Sequence, residues 1–574
     1  MNRICIFLLA AFSVTFCHAQ WSTTPDTAKQ VLLGSFFNNV IEDGQGNTIV
    51  IGRRGLYTAQ KVDKNGQIIW DVSRLGMAVV ILDSANDGTF GPSYLWPDGK
   101  GGVFIAYDYY DFLRVITSPE RVVIYDLDTY VQHLDEKGQR RWGSKGISLS
   151  TVKGTNPDFY NVGSSRIIAL GGDRHGGIIA VWEWSDHDAN GNEIAGTFIQ
   201  GVDSSGHLFW EKNGKKVSGF DPVKAIIDGG GSVFIASLQN ISPGVIKSSL
   251  LKTNIDGQVL WEHPLSTSID NLISGKIISD ATGGCYIVIP HEQNSIKAFW
   301  FDSNGNQPWG GNGVFVASNV NRFDFIQDAI IHPDGGLICL WSDLRNGFRD
   351  LFAQYVNNSG QPKWNAMGLA ISAAQSGKLD GKVLKSSDAD FIYLFSDFRT
   401  NAKGLYTQKL DKNGITRWSS NDVFVSSRTL GGQMISDGAG GAIIAWGEPG
   451  PIRAVYLQKI DKSGKLGVVV SVNEQEKANT PLNFHLYQNN PNPFLNTTTI
   501  QYTLASAALP VSLKIYNLSG EEVVTLVDQI QTPGHHTVRW SGVNQNGLPV
   551  AAGVYFYKLQ IGQNHLLKKL AVIR

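Results

Sequence analysis

The chain has 574 residues, too many for a single ordinary core, so two or more units or a repeat architecture are expected. Lys+Arg 49 against Asp+Glu 50, with 17% charged residues, leaves no electrostatic footprint for nucleic acid or an anionic membrane. Gly 63 and Trp 15 point to an all-β chain with many tight turns and large buried rings.

The first segment, MNRICIFLLAAFSVTFCHAQ, has a basic start at Arg3, an apolar run from Ile4 to Phe16 and small residues at Cys17 and Ala19. This predicts a signal peptide over residues 1–19 and hence export. The apolar run is shorter than the ~20 residues a membrane-spanning helix needs, so no span is expected after its removal. The loss of Cys5 and Cys17 leaves Cys285 and Cys339, both in apolar strand-like runs, which excludes a disulfide framework and predicts small buried hydrophobes.

Residues 20–470 carry a repeat. QKVDKNGQIIW (Gln60–Trp70) returns as QKLDKNGITRW (Gln408–Trp418), and the same phrase, Gly followed four residues later by Trp, ends at Trp70, Trp142, Trp210, Trp261, Trp309, Trp364 and Trp418. An eighth turn, Asp461–Gly464, has Val468 where the Trp would stand. Before each turn a Gly-led apolar strand occurs, such as GKGGVFIAY or PDGGLICLW, with SSDADFIYLFSDFR filling that slot once. Four short strands per unit, with Trp-to-Trp intervals of 48 to 72 residues, predict an eight-bladed β-propeller, with seven blades as the alternative. Trp21 stands where the last repeat lacks its Trp, so the N-terminus is expected to complete the final blade and remove a free sheet edge.

The Asp and Gly of the phrase are turn residues. The strand before them alternates aromatic-x-Gln-x-aliphatic, as at Tyr406, Gln408 and Leu410, which predicts a buried, hydrogen-bonded Gln. The phrase resembles quinoprotein repeats in its Gly-to-Trp spacing, though not between Asp and Gly, and differs from sialidase Asp-boxes. The resemblance implies blade packing and no cofactor.

One insertion, Ser185–Gly196, begins like a calcium loop with Asp186, Asp188 and Asn190, but has Thr197 at the twelfth position, so calcium and a plain Asn-Gly hairpin both fit. Acidic residues recur where the Gly-led strand ends: Asp108, Glu183, Asp343, Asp397 and Glu448. Two precede an Arg, in SDLR and SDFR. A rim of carboxylates for a polar ligand or a glycosidic bond is one reading, and a solvated Asp–Arg turn pair is the favoured one.

Residues 471–483 are polar and read as a linker, and residues 484–574 hold about seven short strands between Ser-Gly, Pro-Gly and Asn-Gly turns, an immunoglobulin-like sandwich. Leu486–Phe494 (LYQNNPNPF), Val511–Val523 (VSLKIYNLSGEEV) and Gly547–Leu559 (GLPVAAGVYFYKL) resemble the type A C-terminal sorting domain of type IX secretion substrates, similar to the FlgD-type Ig-like domain. That resemblance implies a sorting motif at Asn490, Pro491, Asn492, Pro493 and Phe494, the type IX machinery as partner, and delivery to the medium or the outer-membrane surface of a Gram-negative bacterium.

The sequence contains no GxSxG elbow, HExxH helix, phosphate loop or dinucleotide fingerprint. The expectation is therefore a non-catalytic scaffold for an extracellular glycan or protein. The competing expectation is a secreted glycosidase or lyase on the same fold.

Overall fold

In the computed structural model the described residues run from 29 to 573, apart from short segments of which the longest are 71–78, 81–87, 151–163 and 468–483. The chain divides into two compact units, Met1–Val470 and Ser471–Arg574. Both are all-β; among the described residues the one α-helix is Ile269–Ser274.

The first unit holds, among the described residues, eight four-stranded antiparallel sheets. We number them 1 to 8 by their first strands: Phe36–Glu42, Gly88–Pro97, Ser164–Gly172, Asp221–Ile227, Lys276–Ser279, Phe323–Ile331, Lys378–Lys385 and Gln433–Ser436. In sheets 1 to 7 the four strands follow in sequence order. Sheet 8 takes its fourth strand, Lys29–Leu33, from the start of the chain, paired antiparallel with Ala454–Ile460. The first strands touch one another in order, and that of sheet 8 touches that of sheet 1.

Each sheet is covered on both faces, which explains why its second strand reads as an unbroken apolar run rather than an alternation. In Leu337–Asp343, Leu337, Cys339 and Trp341 face the cluster shared with sheet 5, while Ile338 and Leu340 face the cluster shared with sheet 7. The same division of odd and even residues recurs around the set. Val40 and Val50 of sheet 1 meet Ile443, Ala445 and Leu457 of sheet 8, so the first and last sheets pack together as the others do. Cys285 and Cys339 are buried free thiols inside such clusters.

The second unit, described from Phe484, has a three-stranded sheet (Phe484–Leu486, Thr498–Leu504, Gly534–Trp540) and a four-stranded sheet (Glu522–Gln531, Leu509–Tyr516, Gly553–Ile561, Asn564–Val572). Between them lies a separate core that includes Phe494, Ile515, Trp540 and Tyr557.

Candidate functional site

The repeated phrase is explained by contacts within and between sheets. Asp411 Oδ1 accepts from the amides of Asn413 and Ile415, both at 2.8 Å, and Gly414 takes φ 83°, closing the turn. The Gln of the preceding strand stays within its own sheet. Gln354 is buried; its amide donates to Asn365 O at 2.7 Å and its carbonyl accepts from Trp364 N at 2.9 Å.

The Trp, by contrast, reaches the next sheet. Trp70, Trp309 and Trp418 donate their indole N–H to Glu136 O, Asn358 O and Lys462 O at 2.8–2.9 Å, each a carbonyl in the following turn. A Cβ on Gly464 would fall 2.9 Å from the Trp418 ring. The glycine therefore serves its turn and makes room for its neighbour's indole. Trp142 and Trp364 lie against Gly206 and Gly414 in the same way, and Trp261 donates to Ser303 O at 3.3 Å. Trp210 is half-buried against sheet 4. Trp21 lies outside the described residues.

Asp343 and Asp397 correct one sequence expectation. They are not solvated turn pairs, because both carboxylates are fully buried at the ends of their strands. Arg345 Nε donates to both Asp343 oxygens at 2.9 and 3.0 Å, Trp341 Nε1 donates to Oδ2 at 3.0 Å, and the guanidinium stacks 3.7 Å over Phe352. Arg399 bridges Asp397 and Asp422 at 2.7 and 2.8 Å and stacks 3.8 Å over Tyr406, while Ser376 donates to Asp397.

Burial pushes Asp397 up, but the Arg399 guanidinium and the Ser376 hydroxyl outweigh it and hold the carboxyl below its usual range. Its contribution is therefore present above the unfolded pKa near ~3.9 and is lost as pH falls through the folded value. Arg399→Ala leaves two buried carboxylates without their cation and is expected to destabilise by about 3 kcal/mol at pH 7 in urea unfolding. An unchanged urea midpoint would count against this role for the pair.

The other rim acids differ. Glu183 is paired with Arg166 at 2.7 Å in a partly exposed contact. Asp108 is buried, accepts from Thr129 Oγ1 at 3.0 Å and Ile167 N at 2.9 Å, and is pushed up to about 7 by burial. Tyr94 beside it is also raised, by burial and then by Asp108.

A cavity of about 320 Å³ opens between sheets 4 and 5. Its apolar wall is Leu265, Ile287, Ile289 and Phe299, and its polar groups are His263, His291, Lys297, Gln307 and Asn312. Here the repeat is irregular: the fourth strand, Val259–Leu265, runs straight through Trp261, and the Trp261–Trp309 interval is the shortest in the chain. Sequence reasoning missed this site, although the short interval marked its place.

Of the calcium candidates, Asp186 pairs through its backbone with Ile194, and Asp188 and Asn190 lie outside the described residues. Among the described residues no three His, Cys, Asp or Glu side chains converge on a metal position.

In the second unit the run Asn490–Phe494 folds against the last strand. Asn490 pairs with Thr499, Asn492 Oδ1 accepts from Ala571 N at 2.8 Å, and Phe494 N donates to Ala571 O at 2.9 Å. The buried Phe494 ring meets Trp540 edge-on at 5.5 Å. Asn489 Nδ2 donates to Thr498 Oγ1 at 2.8 Å, and Thr498 Oγ1 donates to Pro491 O at 2.7 Å, the carbonyl that precedes Asn492.

Residues 495–564 match the FlgD Ig-like domain family. No curated protein matches the chain. Among solved structures it is similar to PorZ, a surface component of the type IX secretion system of Porphyromonas gingivalis (11% identity, 96% of this chain and 100% of that one, TM-score 0.21). It is also similar to a PL25 ulvan lyase (11% identity, 77% and 98%, TM-score 0.35) and to the NanB sialidase of Streptococcus pneumoniae (11% identity, 69% and 71%, TM-score 0.30). Among the described residues no helix is long and apolar enough to cross a membrane.

Proposed function

We propose that the first unit is an eight-bladed β-propeller acting as a secreted or surface-displayed binding scaffold, exported by type IX secretion through a type A sorting domain. The eight sheets with their consecutive interfaces support the blade count. The Ig-like family match at 495–564 and the placement of Asn490–Phe494 on the terminal strand support the export route.

The observation that carries the binding reading is the cavity between sheets 4 and 5, an apolar wall with a few convergent polar groups where the repeat is interrupted. The strand-end carboxylates Asp343 and Asp397 are committed to their arginines and are poor candidates for a catalytic pair. Glycan-array binding of the full chain, run beside a hydrolysis screen, is expected to give binding without turnover, weakened by His291→Ala and Lys297→Ala.

Asp108 favours a second reading, a polysaccharide-active enzyme. A carboxyl titrating near neutrality beside Tyr94 suits a general acid or base. Turnover of any polysaccharide that Asp108→Asn abolishes would replace the scaffold reading with this one.

A further inference from the structure

The fourth residue of each Gly-led strand marks one level of all eight sheets, and its partner on the first strand marks the same level at the inner edge. Those partners are Asn39, Tyr94 and Ala169 in sheets 1 to 3 and Gln433 in sheet 8. In sheets 4 to 7 they are Lys224, Lys276, Asp328 and Lys382, opposite Ala236, Val288, Leu340 and Leu394. All the charge at this level thus lies on one side of the ring, three lysines to one aspartate. In sheets 4, 6 and 7 a β-bulge immediately precedes the charged residue, the device by which strands re-aim a side chain.

The aspartate attracts Lys276 and Lys382 but offsets them only in part, one carboxylate against three ammonium groups. Asp328 Oδ1 accepts from Ala329 N at 3.0 Å and Oδ2 from Val383 N at 3.0 Å, tying sheet 6 to sheet 7. None of the three lysines is within ion-pair distance of a carboxylate among the described residues.

Among the described residues four of the five buried lysines, by contrast, have a carboxylate, and the fifth, Lys252, donates to Gly283 O at 2.7 Å and Ser303 O at 3.1 Å. Lys61 pairs with Asp43 at 2.6 Å, Lys378 with Asp350 at 2.9 Å, Lys409 with Asp388, and Lys459 with Asp437 at 3.3 Å. A half-buried ammonium without a counter-charge is costly, and several on adjacent strands repel one another. In keeping with this, burial lowers Lys224, and Lys276 lowers it further; burial also lowers Lys276, where Asp328 acts against it and Lys382 with it, and the net direction stays down.

We infer that Lys224, Lys276 and Lys382 form an anion-binding arc at the inner edge of sheets 4 to 7, suited to a multivalent oxyanion group: carboxylate, sulfate or phosphate. Lysine binds such groups as a point charge, and charges of one sign on adjacent strands add their fields. The site is separate from the cavity between sheets 4 and 5 and does not depend on its reading.

Isothermal titration of the full chain with citrate, sulfate and inorganic phosphate, each against NaCl of matched ionic strength, tests the arc and tells the oxyanions apart. Saturable binding of at least one is expected, weakened tenfold or more by Lys276→Met and by Lys224→Met, and unchanged by His291→Ala. Removing like charges is expected to leave the melting temperature of either Met variant at or above that of the parent. Two results would overturn the arc: no saturable binding beyond the NaCl control, or parental affinity in both folded Met variants.

Discussion

Removing residues 20–33 lowers the melting temperature of the chain by roughly 5 °C or more and makes it associate as its concentration rises. The deletion takes away Lys29–Leu33, whose partners are Lys29↔Leu457, Gln30↔Tyr456, Leu32↔Val455 and Leu33↔Ala454. It stops short of Phe36–Glu42, so sheet 1 keeps its own strands. About four backbone hydrogen bonds at ~1 kcal/mol each set the lower bound of the loss. The deletion also leaves the outer edge of Ala454–Ile460 unpaired, a ready template for another chain. Calorimetry and size-exclusion chromatography at two concentrations check both effects. A melting curve superimposable on the parent would show that the terminal strand does not close sheet 8.

Deleting residues 484–574 is expected to abolish appearance at the surface and in the medium while leaving a folded product in the periplasm. The second unit has its own core around Phe494, Trp540 and Tyr557, and the first unit's clusters contain none of its residues, so the truncation does not open the first unit's cores. Fractionation of envelope, periplasm and medium, with circular dichroism of the recovered protein, makes the measurement. Normal surface delivery of the truncated chain would refute export through this unit.

The features most legible in the sequence are those that local chemistry dictates. Asp-x-x-Gly turns, buried Gln residues and Gly-led apolar strands each announce a short-range requirement, and the structure places them accordingly. What is not local was hidden. Gly414 and Trp418 share one phrase, yet Gly414 receives Trp364 and Trp418 crosses to Gly464, a partition that spacing alone does not reveal. The depth of Asp343 and Asp397 was also hidden, because burial depends on neighbouring sheets. Lys224, Lys276 and Lys382 carried no signal at all. Their equivalence depends on register, and bulges shift that register in several first strands.

The strand Lys29–Leu33 also sets an order of events in time. Among the described strands of the unit it leaves the ribosome first, and its partner Ala454–Ile460 leaves last. Sheets 1 to 7 can each assemble from contiguous sequence, whereas sheet 8 must wait for both ends. The final, most non-local pairing is therefore expected to be the slowest step of assembly. The unit therefore cannot lock until the whole of it, from Lys29 to Ile460, has been made.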